Sequence, residues 1–315
     1  MKRDVKVALV FPGQASQSVG MMQLYEGLPR IRETFDEASE ITGSDLWKLV
    51  AEGPAEKLQL TTYTQPIMLV AGVAVLRAWE ALDGPRPAML AGHSLGEYTA
   101  LVASGALRFR DAVPLVRERA QAMQGAAPQG VGGMAAVLGL PDDKVLEICA
   151  DAAQGEVLEA ANFNAPEQVV IAGHNDALQR AIVLAKKRGA KRALMLPMSV
   201  PCHCSLMRPA AETLTAYLAN VELVSPGIPV VQNADVTSHQ TPAAIKDALA
   251  RHLYSPVRWV ESIRYLIDHG ITHLVECGPG RVLAGITKRI AADLPQYTLA
   301  DTTFMNDALA ALRPA

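Results

Sequence analysis

Residues 5–11 are a short β-branched and apolar run that stops at Pro12-Gly13-Gln14, the pattern of a buried strand closed by a turn. Helical stretches with breaks at Gly43 and Gly53-Pro54 fill 21–60. A long apolar helix then runs from Thr64-Gln65-Pro66 through Trp79, with proline near the first turn, where its missing N–H does no harm. After Asp83-Gly84-Pro85, an apolar run of strand length at 88–91 leads into Gly92-His93-Ser94-Leu95-Gly96, and an Ala/Leu-rich helix begins at once. Residues 109–126 read as a further helix with Val113, Val116, Ala120 and Met123 on one face. Arg117 and Arg119 each lie about 80° from the centre of that stripe at ~100° per residue, so periodicity does not separate them.

A distinct block follows Gln129-Gly130-Val131-Gly132-Gly133. Strands at 134–138, 157–163, 168–172 and 193–198 enclose helices at 141–153 and 176–188, the β-α-β-β-α-β order of a ferredoxin-like unit. From Ser205 the larger alternation resumes: a helix to 218, a strand at 228–231, helices over 243–254 and 257–269, a strand at 272–276, the turn Gly278-Pro279-Gly280 and a helix to 290. Such alternation predicts an α/β class with a mainly parallel sheet covered on both faces. The expected division is a large domain of 1–128 and 200–315 with 129–199 as an inserted small domain.

The stretch around Ser94 carries the chemistry. G-x-S-x-G between a strand and a helix is the pattern of a nucleophile on a sharp turn, and the first amides of the following helix are free to hold an oxyanion. Ser94-Leu95-Gly96-Glu97 also fits S-x-x-E, in which the serine only caps the helix. A cap makes no demand on Gly92 or Gly96, so the nucleophile reading explains more of the pattern.

A serine nucleophile needs a base. His93 adjoins the serine on the turn and should point away; His174, His239 and His269 sit in polar, turn-like contexts; His252 and His273 fall within a helix and a strand. His203 follows Pro201 where the chain leaves the inserted unit, at the rim of the groove between the lobes, and is either the base or a loop histidine.

The 315 residues are half hydrophobic, enough for one large core or a core plus a smaller lobe. A formal charge of −3 argues against nucleic acid as a partner. The N-terminal apolar run ends too soon for a signal peptide, and the longest one, 67–76, is the length of a core helix and too short to span a membrane. A cytoplasmic location is therefore expected, with Cys149, Cys202, Cys204 and Cys277 as free thiols. Cys202-His203-Cys204 looks like a metal fragment, but three adjacent residues cannot all turn to one ion, and no metal is expected.

Together these motifs resemble the malonyl-CoA:acyl carrier protein transacylases of type II fatty acid synthesis and the related acyltransferase domains of polyketide synthases. The resembling segments are Phe11-Pro12-Gly13-Gln14, Gly92 to Glu97, Arg119, Asn162 to Gly173 with Gln168, Val200-Pro201-x-His203, and Glu276-Cys277-Gly278-Pro279-Gly280. The resemblance implies an α/β-hydrolase-like body with a ferredoxin-like insert. It also implies malonyl transfer from malonyl-CoA through Ser94 to the thiol of acyl carrier protein, with His203 as base. By the same resemblance, the amides of Gln14 and Leu95 form the oxyanion hole, Arg119 binds the malonyl carboxylate, and the backbone carbonyl of His252 orients the base. No cofactor is implied, coenzyme A thioester being substrate, and a monomer is expected.

Alternatives are the transferase subunit of malonate decarboxylase, a polyketide-pathway acyltransferase, a serine thioesterase and a non-catalytic carrier-binding scaffold. Ala15 and Cys202 depart from the glycine and serine common at those positions, and His252 from glutamine or asparagine. Lys186-Lys187-Arg188 with Lys191-Arg192 is either a docking patch for an acidic carrier protein or a solvated helix end.

Overall fold

The computed structural model describes residues 5–128, 130–198 and 200–313. The expected edges of the insert, Gln129 and Ser199, lie outside the described residues. The strands are β1 (Val7–Phe11), β2 (Met89–Gly92), β3 (Gly132–Leu138), β4 (Leu158–Ala165), β5 (Gln168–His174), β6 (Arg192–Met195), β7 (Val230–Val231), β8 (His273–Glu276) and β9 (Gln296–Thr298).

Two sheets result. The larger is parallel, in the order β7-β2-β1-β8-β9. Its central strand β1 is buried at every position, which is why residues 7–11 are apolar without alternation. The register sets Phe11 beside Gly92, so the turns leaving β1 and β2 rise from the same edge of the sheet. There the His93 N–H donates to the Phe11 carbonyl at 3.0 Å, bringing the Gln14 turn against the Ser94 turn.

The smaller sheet is antiparallel, β4-β5-β3-β6, with the helices Asp142–Ala153 and Asn175–Lys187 packed against it around a core of their own. The observed order is β-α-β-β-α-β, as the sequence predicts. The sheet meets the body where the Phe163 N–H donates to the Val257 carbonyl at 2.9 Å and the Val257 N–H to the Ala161 carbonyl at 2.8 Å.

Several boundaries differ from the sequence reading. The apolar helix is Thr61–Ala81, so Pro66 lies in its second turn and removes an internal bond instead of sitting harmlessly at the start. That helix is buried on nearly every side, and packing outweighs the local defect. β6 stops at Met195, and β7 has two residues where four were expected. Strand β9 and the helix Thr302–Leu312 follow the last expected element. The helix carries a local signal of its own: Asp301 caps it through the Phe304 N–H, and Met305, Ala308, Leu309 and Leu312 repeat at helical spacing.

Candidate active site

Ser94 stands between β2 and the helix Gly96–Ala103 with φ 52°, a left-handed conformation that a non-glycine residue holds only when its surroundings impose it. The flanking glycines are required by contact. A Cβ on Gly92 would lie 1.9 Å from the Gly96 carbonyl carbon, and one on Gly96 would lie 2.0 Å from the Phe11 oxygen. No capping box forms. The helix has no side-chain cap, Ser94 faces His203, and the Glu97 carboxylate accepts from the Asn233 N–H at 2.9 Å.

His203, also at a positive φ of 62°, places its Nε2 2.8 Å from Ser94 Oγ. Its Nδ1 is 2.9 Å from the backbone carbonyl of His252. A carbonyl only accepts, so Nδ1 carries the proton and Nε2 presents its lone pair to the serine hydroxyl. Burial, aided by the nearby Arg119 guanidinium, pushes the imidazole pKa down to about 3, so the ring is neutral at pH 7. The His203 N–H is itself held by the Leu253 carbonyl at 3.0 Å, fixing the loop that follows Pro201. His93 turns away from the serine, 2.8 Å from Asn164 of the smaller sheet.

The two arginines that periodicity left equal are separated by packing: Arg117 is exposed, and Arg119 is fully buried. Arg119 Nη1 donates to Gln65 Oε1 at 2.5 Å, and Nη2 to Ser94 Oγ at 3.4 Å, so the guanidinium looks into the site beside Ser94. Among the described residues, the amides of Gln14 and Leu95 have no hydrogen-bond acceptor. A cavity of about 490 Å³ opens beside Gln14, between Leu60 and Thr61 of the body and Leu196 and Met198 of the small lobe.

Sequence reasoning missed two residues. Gln65 is in sequence terms only part of a helix start; a glutamine within an otherwise apolar helix is the signal that marks it. Asn233 follows β7 at the carboxyl edge of the parallel sheet, where polar residues gather around sites. Its side chain accepts from the Ser94 N–H at 3.0 Å and donates to the Gly92 carbonyl at 2.7 Å, gripping the turn on both sides.

The remaining candidates have structural surroundings. Cys202 and Cys204 direct their thiols to the carbonyls of Val200 and Pro201, not to a common point. Among the described residues no group of three or more His, Cys, Asp or Glu side chains is arranged to hold a metal, and no helix is long and apolar enough to cross a membrane. Gln168 accepts from Arg289 of the body at 2.6 Å. Glu276 accepts from the N–H groups of Leu283 and Ala284 at 3.0 and 2.7 Å, capping the helix Val282–Ile290. In the basic stretch Arg188 pairs with Asp151, while Lys186, Lys187 and Arg192 are exposed.

The acyl transferase domain family matches residues 8–308. The malonyl CoA-acyl carrier protein transacylase of Escherichia coli K12 is 50% identical over 303 residues, spanning 96% of this chain and 98% of that protein. The crystal structure of acyl-carrier-protein S-malonyltransferase from Burkholderia pseudomallei 1710b superposes with a TM-score of 0.96 at 56% identity, covering 97% of this chain and 100% of that one. A malonyl-transacylase solved in complex with a type II polyketide synthase acyl carrier protein gives a TM-score of 0.96 at 46% identity, covering 97% and 99%. A match over nearly the whole length, in sequence and in backbone, leaves one assignment: the chain belongs to the acyl transferase family and, within it, to the malonyl CoA-acyl carrier protein transacylases.

Proposed function

We propose that the protein moves the malonyl group of malonyl-CoA to the phosphopantetheine thiol of acyl carrier protein through a malonyl-Ser94 intermediate, supplying malonyl-acyl carrier protein for fatty acid synthesis. The observation that carries this reading is the aligned set of Ser94 Oγ, His203 and the His252 carbonyl, with the buried Arg119 guanidinium beside the serine. His203 Nε2 takes the hydroxyl proton as Ser94 Oγ attacks the thioester carbonyl. The amides of Gln14 and Leu95 hold the resulting oxyanion. The carbon–sulfur bond then breaks, and coenzyme A leaves as the thiol with the proton from His203. In the second half His203 deprotonates the carrier's thiol, which attacks malonyl-Ser94, and the serine recovers its proton.

Arg119 suits a bidentate bond to the malonyl carboxylate and gives the site its choice of acyl group. Discrimination against acetyl is sharp, because acetyl leaves a buried guanidinium unpaired; discrimination against methylmalonyl is weaker, resting on one methyl group. The thioester supplies the activation, so the proposed reaction uses no cofactor. The layout is read as an α/β-hydrolase-like body, 1–128 and 200–315, with a ferredoxin-like insert, 129–199. The parallel sheet with its serine elbow supports the first part, and the β-α-β-β-α-β order the second. A cytoplasmic setting is part of the same proposal. A second reading, with a polyketide carrier protein as acceptor, is favoured by the structural likeness to the transacylase solved with such a carrier.

The test is intact mass spectrometry after incubation with malonyl-CoA. The protein should gain one malonyl group and lose it on addition of phosphopantetheinylated acyl carrier protein. No gain, or an undiminished gain in Ser94→Ala, ends the proposal.

A further inference from the structure

Behind the serine lies a cluster of buried polar side chains with no role in the reaction as described. Glu97, Asn233 and His252 are each fully buried. Glu97 Oε2 accepts from the Asn233 N–H at 2.9 Å and stands 3.3 Å from His252 Nδ1. The Asn233 side chain grips the Ser94 N–H at 3.0 Å, and the His252 carbonyl faces His203 Nδ1 at 2.9 Å. With Ser94 Oγ 2.8 Å from His203 Nε2, the contacts close a ring: Ser94, Asn233, Glu97, His252, His203 and back to Ser94. Its members come from four parts of the chain that do not adjoin in sequence: the elbow, the loop after Pro201, the segment after β7, and the end of the helix Pro242–His252.

Stability alone does not account for this cluster. Glu97 Oε1 and both ring nitrogens of His252 have no hydrogen-bond partner among the described residues. A partly satisfied polar network in a dry interior is less favourable than apolar packing of the same volume. What the ring supplies is geometry. Ser94 and His203 both hold left-handed backbone conformations, and each would relax without partners that hold it.

We infer that Glu97 and Asn233 are positioning residues that fix the separation of nucleophile and base, Glu97 by holding the Asn233 N–H on the serine side while its carboxyl packs against the His252 ring on the histidine side. The inference rests on Ser94 and His203 acting as the reacting pair.

The test compares Glu97→Gln, which keeps an acceptor for the Asn233 N–H, with Glu97→Leu, which removes it at similar volume. Asn233→Ala is the second variant, in case the leucine protein does not fold. Three quantities are read: the rate of Ser94 malonylation at saturating malonyl-CoA, the concentration giving half that rate, and the rate of labelling by an uncharged fluorophosphonate, which reports the serine without engaging Arg119. A misplacement of about 1 Å lowers such rates on the order of 100-fold.

Glu97→Leu and Asn233→Ala should slow malonylation and labelling by the same factor, with half-saturation unchanged, while Glu97→Gln retains most of both. The double variant should lose no more than the worse single one, because both act through one linkage. Wild-type rates in folded Asn233→Ala or Glu97→Leu, with only the melting temperature lowered, overturn the inference. A loss in Glu97→Gln as large as in Glu97→Leu also overturns it. Failure of the reacting pair looks different: His203→Ala would then malonylate and label normally.

Discussion

Removing the Arg119 guanidinium should invert the acyl preference. The group is fully buried, fixed by Gln65 Oε1 at 2.5 Å, and 3.4 Å from Ser94 Oγ, where the far end of a three-carbon acyl chain on that oxygen can fold back to meet it. Two charge-assisted hydrogen bonds to the malonyl carboxylate contribute roughly 1.5–3 kcal/mol each. Their loss in Arg119→Ala amounts to about 3–5 kcal/mol after the shared desolvation is discounted, or on the order of 10²–10⁴ in kcat/KM for malonyl-CoA. Acetyl-CoA makes neither bond and in the wild type leaves the guanidinium unpaired, so its transfer should hold or rise. The assay is single-turnover acylation of Ser94, followed by rapid quench and intact mass, with malonyl-CoA and acetyl-CoA in parallel. Arg119→Met serves as a second variant that fills more of the vacated volume. Equal loss with both donors, in protein that melts normally, would falsify the recognition role and reduce Arg119 to a structural residue.

Three further outcomes are expected. His203 is held neutral with a pKa of about 3, chiefly by burial and next by Arg119, and the proposed reaction needs its Nε2 lone pair. kcat/KM for malonylation, which follows the free enzyme, should therefore stay level from pH 8 down to pH 5. A decline centred on the usual histidine value of about 6.5 would remove the argument. The same depression acts on stability. Above the unfolded value of about 6.5 neither state binds the proton; below it only the unfolded state does, so His203 lowers stability by ~1.4 kcal/mol per pH unit as pH falls toward the folded value. Melting curves of His203→Asn should show a shallower acid-side decline than the wild type, and superimposable slopes would contradict this. Ala15, with φ 81°, occupies backbone that costs an L residue roughly 1–2 kcal/mol, against about 0.4–1 kcal/mol of extra chain entropy for glycine. Ala15→Gly should accordingly stabilise the protein by ~0.5–1 kcal/mol with little change in acylation rate, and a lower melting temperature would rule out the strain.

The legible parts of the fold were those written locally. Continuous apolar runs marked β1 and β2, because strands covered on both faces need no polar alternation. The β-α-β-β-α-β order of the small lobe followed from period changes and turns between residues 130 and 198. The elbow was legible because a Cβ on Gly92 or Gly96 would come within 2.0 Å of backbone atoms, a constraint that leaves no alternative residue. Boundaries were less so. Pro66 stands inside a helix that packing holds together, and β7 and β9 are too short to carry a period of their own.

The sequence by itself therefore determined the α/β class, the serine on its turn, and a short roster of bases and arginines. Family resemblance narrowed that roster, but single-sequence physics left His203 either the base or a loop histidine and Arg119 equal to Arg117. Tertiary structure decided what depends on distance between remote segments. It set His203 Nε2 at 2.8 Å from Ser94, across 109 positions of chain. It buried Arg119 and exposed Arg117, which the helical period treats alike. It also brought Asn233 and Glu97 behind the elbow, where nothing local to either residue announces the other. The physical reason is that secondary structure answers to neighbours three or four residues away, whereas a site is assembled at the common edge of parallel strands, whose order in space is not their order along the chain.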